Sequence, residues 1–282
     1  MQHGKFSRTA HSVAIRRAAH QLFDHPKVFD DPLALAIIGS QSAEALRANP
    51  EKQRHSIARA FRAFMAVRSR YAEDQLAKAV TAGVQQYAVL GAGLDTFAYR
   101  NPHASLRVFE VDHPATQAWK RDRLAAAQIA IPPSVTFVPI DFEHHSLAEG
   151  LSSSGFRTDI PAFFSWLGVI PYIARESCMA TLACISRMPA GSGVAFDFAV
   201  DPKLLNWKQR LALTALSARV AAAGEPFRLF FHPQELAAEL TKLGLREIEI
   251  LDSDDLNARY FTNRSDGLRL TGALGRVAAA WL

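Results

Sequence analysis

The feature that most constrains this chain is a change of rhythm at Gly83. Beyond it, short apolar runs recur at residues 85–90, 106–111, 135–140, 161–167 and 193–198, with helix-like stretches such as 115–130 and 175–187 between most of them. Strands separated by helices cannot close as tight hairpins, because each helix carries the chain back along the sheet before the next strand begins. The alternation therefore predicts a parallel sheet with helices on both faces. The tail departs from it: 234–243 reads as a helix, and 245–251 and 276–282 read as two further strands.

Before Gly83 the chain reads as helical. Residues 9–23 form one helix, closed by the turn-like Asp24-His25-Pro26. Asp31-Pro32 opens a second, short helix that Gly39-Ser40 ends. A long helix is expected over 51–82, with Ile57, Phe61, Phe64, Met65, Leu76 and Val80 mostly at helical spacing and Gly83 as its stop. No repeat, low-complexity tract or linker divides the chain. The expected organisation is a helical cap, 1–82, on an α/β domain, 83–282, as one structural unit.

Composition narrows the function classes. At 49% hydrophobic and 21% charged, the 282 residues can bury a substantial core, which excludes disorder as the main state. No uncharged apolar run reaches the roughly 18 residues of a membrane helix. The longest, 161–174, has 14 residues and contains Pro171. Two cysteines, Cys178 and Cys184, make no disulfide framework and match no zinc or redox spacing. A cytoplasmic protein without a membrane partner is expected. Residues 1–80 hold 13 Lys/Arg against 7 Asp/Glu, so the chain's whole basic excess of +5 sits in the N-terminal segment. Met1 to Phe23 is acid-free and shares that trait with import presequences, but an amphipathic helix with a solvated basic face is the favoured account.

Three strand ends carry the chemistry. Tyr87-Ala88-Val89-Leu90 runs into Gly91-Ala92-Gly93-Leu94-Asp95-Thr96, and glycines there let the backbone turn tightly and approach a ligand. Alone, Gly-x-Gly is structural more often than functional. The next strand ends in Glu110-Val111-Asp112. Asp112 lies 21 residues after Gly91, where an acid accepts hydrogen bonds from ribose hydroxyls. Glu110 shares its strand face and either could serve, Asp112 being nearer the carboxyl end. The third strand ends in Ile140-Asp141-Phe142, placing Asp141 and the Phe142 amide where adenine would lie. Together they point to an adenosine cofactor on the carboxyl edge of an open sheet, without saying which.

The stretches VLGAGLDTFAYR, VFEVDHPATQAWKRDRL, VPIDFE and FFSWLGVIPYI, with LFDHPKVFDDPLA and VRSRYAEDQL upstream, resemble the leucine carboxyl methyltransferase-like family of class I S-adenosylmethionine-dependent methyltransferases, in its bacterial O-methyltransferase branch. The resemblance covers nearly the whole chain. It implies a Rossmann-like, seven-stranded, mostly parallel α/β sheet with an antiparallel last strand and an N-terminal helical cap. It implies S-adenosyl-L-methionine as cofactor and S-adenosyl-L-homocysteine as product. By motif, Gly91 and Gly93 would underlie the methionine part, Asp112 would bind ribose, and Asp141 with Phe142 would hold adenine. An arginine before the first strand would bind the cofactor carboxylate, with Arg68 and Arg70 as candidates. One departure stands out. Some relatives carry a cofactor-touching glutamate after the fourth strand, in the pattern W-L-x-E-G, and here Leu167 falls at the acid's place.

The expected activity is O-methylation of a small molecule, on a carboxylate or else a hydroxyl. A carboxylate needs no base, and a cationic cap would attract it. Arg16, Arg17, Tyr71, Trp166 and Tyr172 are therefore substrate-side candidates, although Trp166 and Tyr172 are as readily core or pocket wall. No metal is expected, since the adjacent His144 and His145 cannot both face one ion from a regular element. His113 reads as a cap or packing residue before Pro114 rather than a base. Two other functions compete. A nicotinamide-dependent oxidoreductase is disfavoured by Thr96 at the third fingerprint position and by the second acidic strand end. A non-catalytic nucleic-acid or regulatory binder is disfavoured because the arginines at 54, 59, 62, 68 and 70 do not form one stripe. The expected partner is an anionic small molecule. Oligomeric state cannot be read from the sequence.

Overall fold

The protein is described here from a computed structural model covering residues 7–141, 146–222 and 224–282. Five helices come first: α1 (Arg8–Phe23), α2 (Ala34–Ile37), α3 (Ser40–Ala48), α4 (Pro50–Arg54) and α5 (Ser56–Thr81). The alternating part follows as β1 (Gln86–Leu90), α6 (Phe97–Arg100), β2 (Arg107–Asp112), α7 (Pro114–Ala126), β3 (Val135–Pro139), α8 (Leu147–Ser153), β4 (Phe163–Trp166), α9 (Arg175–Ile185) and β5 (Gly193–Ala199). The chain closes with α10 (Trp207–Ala222), α11 (Pro233–Lys242), β6 (Glu249–Leu251), α12 (Ser253–Tyr260) and β7 (Gly275–Trp281).

The seven strands form one sheet in the order β3-β2-β1-β4-β5-β7-β6. Neighbours from β3 through to β5 pair in parallel, and β7 pairs antiparallel with both β5 and β6. This is the class I methyltransferase arrangement expected above, with the 245–251 strand shortened to the three residues that reach β7. The strand order reverses between β1 and β4. Such a switch point opens a crevice at the carboxyl ends of the strands, where open α/β sheets bind their ligands.

Period-two side-chain alternation divides the core between two faces. Ala88, Leu90, Phe109, Val111, Phe164, Phe196 and Ala278 pack on one face with α8, α9 and α11. Tyr87, Val89, Val108, Phe163, Ala195 and Val277 face the other way, against Ala63, Val67, Tyr71, Leu76 and Ala79 of α5. A third cluster joins α1, α2 and α3 through Ala18, Ile37 and Leu46 to Leu94 and Leu124.

The expected long helix over 51–82 is two helices, because His55 is extended (φ −60°, ψ 142°) between α4 and α5. The second helix, α2, does end just before Gly39-Ser40. Gly39, at φ 82°, caps the start of α3, a helix the sequence pattern did not reveal. Gly83 does terminate α5. Its φ of 99° lets the Gly83 amide donate to Val80 O and the Val84 amide to Ala79 O, satisfying the helix's last carbonyls.

Candidate active site

A cavity of about 210 Å³ opens at the switch point, walled by the turn after β1, the ends of β2 and β3, the segment after β4, helix α1 and residues 224–228. The turn after β1 is built around two left-handed glycines, Gly91 at φ 68° and Gly93 at φ 45°. A Cβ on Gly91 would lie 2.3 Å from the Val169 side chain, and one on Gly93 would lie 3.0 Å from Ala10 Cβ. Both positions therefore need glycine for conformation and for space.

Asp112 fastens this turn. Its carboxylate accepts from the Gly93 amide at 2.6 Å and the His113 amide at 2.7 Å while also lining the cavity. Burial pushes its carboxyl up, partly offset by those two amides. Glu110, two residues earlier on the same face, is sealed inside. It receives Lys120 Nζ at 2.7 Å and the Tyr99 hydroxyl at 2.9 Å. Burial likewise pushes Glu110 up, against its Lys120 partner. The choice the sequence left open thus falls to Asp112 as the acid facing the cavity.

Asp141 also lines the cavity, with its Oδ2 3.9 Å from His113 Nε2. Phe142, expected to complete this end, lies outside the described residues, as do Glu143, His144 and His145. His113 caps α7, its Nδ1 accepting from the Ala115 amide at 3.2 Å. Among the described residues no cluster of three His, Cys, Asp or Glu side chains could hold a metal ion.

The cationic candidates separate sharply. Arg68 is buried in the cavity wall, donating to Asp197 Oδ2 at 2.8 Å, while Asp197 Oδ1 accepts from the Gly168 amide. This clamp joins α5, β5 and the turn after β4. Arg70 points away from the cavity. It is half-exposed and paired with Asp74 at 2.8 Å, one helical turn along, so it is removed from the cofactor candidates. Arg17 lines the cavity but is committed to the scaffold. It donates to Leu94 O at 2.8 Å and lies 3.4 Å from both Asp31 and Asp95. Burial opposes charge on Asp95, yet Arg17 foremost, with Lys120 and Arg100, holds its carboxyl below the usual range. Arg16 stands outside the wall with its guanidinium over the Phe61 ring. Burial lowers its pKa, and the like charge of Arg219 lowers it further.

Of the aromatic candidates, Tyr71 and Trp166 belong to the core. Tyr71 packs in the α5 interface and donates to Glu249 at 2.7 Å, and Trp166 packs with the opposite face. Neither lines the cavity. Tyr172 does, and burial pushes its hydroxyl up to about 12, so it stays protonated. Counted through W-L-x-E-G from Trp166, the acid's place falls at Val169 and not at Leu167, and both side chains line the cavity. Two residues carried no legible signal: Glu225 in the wall, whose carboxylate accepts from the Thr9 amide at 3.2 Å across the cap, and Arg219, outside the wall but near enough to Arg16 to oppose its charge. They are reached only because α10 and the chain after it fold back over the sheet.

The edge suits a nucleoside without phosphates. Asp112 and Asp141 are acceptors for hydroxyl and amine donors, and Asp95 adds negative charge beside the glycine turn. A pyrophosphate would be repelled there. Helix α6, which follows the turn, has only four residues and offers a weak dipole. The nicotinamide alternative loses its binding logic on these grounds.

Fold and edge together define an adenosine-cofactor methyltransferase. Residues 10–186 match the model of the leucine carboxyl methyltransferase family. The chain is 36% identical over 292 residues to YktD of Bacillus subtilis (strain 168), named among the S-adenosyl-L-methionine-dependent methyltransferases, with 95% of each chain covered. A similarly named Parafrankia sp. protein, Franean1_4929, is 34% identical over 196 residues, 67% of this chain and 62% of that one. A crystal structure described as a methyltransferase from Thermobifida fusca YX superposes with a TM-score of 0.61 at 17% identity, covering 99% and 96% of the two chains. The chain belongs to the leucine carboxyl methyltransferase family. It is an S-adenosyl-L-methionine-dependent methyltransferase.

Proposed function

We propose that the enzyme O-methylates a small carboxylic acid. The observation that carries this reading is the cationic side of the cavity: Arg17, Arg68 and Arg228 line the wall with Tyr172, and Arg16 and Arg219 lie outside it, near enough for their charges to act on one another. The latter two guanidiniums oppose each other's charge, and among the described residues neither forms an ion pair with an acid. A bound carboxylate would relieve that repulsion.

S-adenosyl-L-methionine supplies, when bound, a methyl group activated by the positive charge of its sulfur. The chain supplies position and dryness. Gly91 and Gly93 leave room for the cofactor backbone, Asp112 and Asp141 accept from the nucleoside, and Arg68 stands ready for the cofactor carboxylate. Tyr172 donates a hydrogen bond to the acceptor, and α1 with residues 224–228 excludes water. A carboxylate acceptor carries its own negative charge, so no proton has to be removed.

A hydroxyl acceptor is the second reading, favoured by Glu225, a carboxylate in the cavity wall that could take its proton. We also infer a cytoplasmic enzyme working on a free small molecule and not on nucleic acid. The two free cysteines agree with a reducing compartment.

A screen of carboxylic acids against phenols and alcohols, read as methyl ester or ether formed, tests the reading. Esters should form, and Arg16→Ala with Arg219→Ala should raise the acceptor KM by about tenfold, with kcat changed far less. Ether formation alone, or an unmoved KM, would overturn it.

A further inference from the structure

Five large apolar side chains stand exposed among the described residues, and three of them, Leu204, Trp207 and Leu211, fall within 204–211 at 49%, 70% and 67% exposure. Trp207 and Leu211 are one turn apart on α10, and Leu204 sits in the short turn just before it. Helix α10 buries only Leu213, so it lies on the molecule and not in it. The segment is also one-signed. No acid occurs between Asp201 and Glu225, while Lys203, Lys208, Arg210 and Arg219 do. Lys208 Nζ lies 5.5 Å from the Trp207 ring centroid, so a cation and the largest apolar group share one spot.

We propose that the 203–211 tip docks on an anionic lipid surface. An indole and two leucines enter the headgroup boundary, and Lys203, Lys208 and Arg210 meet the phosphates. Charge decides the occupant. Twofold pairing of this face with a second copy would set the same cations against one another, whereas an anionic bilayer complements both the apolar tip and its rim. Residues 224–226, just after α10, line the cavity, so the docked segment is continuous along the chain with the active-site wall. The sequence alone gives no reason to expect this partner, because the exposure of Trp207 and Leu211 appears only in the folded chain. The proposal stands apart from the choice of methyl acceptor.

The full-length protein is sedimented with phosphatidylcholine vesicles, with and without phosphatidylglycerol. Binding is expected only with phosphatidylglycerol. It should fall by about fivefold for each of Lys203→Gln and Lys208→Gln, weaken with salt, and disappear in Trp207→Ala/Leu211→Ser. Ile131→Ser, at an exposed apolar residue elsewhere, is the control and should bind as wild type. All these side chains are exposed, so unchanged circular dichroism keeps the variants comparable. No binding to anionic vesicles, or binding that survives Trp207→Ala/Leu211→Ser, overturns the proposal. So does a concentration-dependent dimer abolished by the same substitutions, which would assign the patch to a second copy.

Discussion

Glu110 and Asp112 are two positions apart on one strand and share a face, yet their chemistry has nothing in common. Glu110 is closed in by Lys120 and Tyr99, whereas Asp112 holds two backbone amides and keeps an edge on the cavity. What separates them is one strand repeat of depth, which the period of two cannot express. Arg68 and Arg70 repeat the lesson on α5, where two residues turn a side chain from the cavity to solvent. Asp112→Ala removes both the proposed ribose acceptor and the clamp on Gly93. Titration calorimetry should show S-adenosyl-L-homocysteine binding weakened by about 100-fold, the effect of losing two charge-assisted hydrogen bonds. NAD should bind neither protein.

Between elements, buried charge as well as apolar contact holds the helices of the cap to one another. Asp24, just past α1, accepts from Arg62 of α5 at 3.0 and 2.8 Å and from His20 Nδ1 at 2.9 Å. His20 Nε2 accepts from the Val28 and Phe29 amides, which places the ring hydrogen on Nδ1. Burial raises the Asp24 carboxyl, but the Arg62 and His20 hydrogen bonds outweigh it and bring it to about 2. A carboxyl depressed in the folded state stabilises above its ordinary value, and the contribution fades as pH falls from 3.8 towards 2. Asp24→Ala, which strands a buried guanidinium, should cost about 3–5 kcal/mol in urea unfolding at neutral pH. The difference from wild type should shrink through that acid window. The residues of this pair are plain in the sequence, but a contact across 38 positions leaves no periodic trace there. The break at His55 and the start of α3 at Gly39 were hidden for a related reason, since a single φ/ψ choice redirects a helix without altering its composition.

At the scale of the molecule, the cofactor edge, the cap and the 224–228 segment close on one cavity, so occupancy should be felt by the whole fold. S-adenosyl-L-homocysteine at about 100 times its Kd should add about 2.7 kcal/mol, and raise the melting temperature by about 5–10 °C. A melting temperature that does not move would remove the cofactor from this edge. The sequence by itself determined the alternating α/β sheet, its strand ends, the glycine turn and the acids at 112 and 141. These are local facts, set by hydrophobic period and by backbone conformations open only to glycine. Tertiary structure alone decided which of several equivalent side chains reach the cavity. It kept Tyr172 in the wall and sent Tyr71 and Trp166 to the core, committed Arg17 to Asp31 and Asp95, and brought Glu225 from the far end of the chain. Burial and long-range pairing are properties of how elements pack on one another, and no stretch of sequence carries both partners of such a contact.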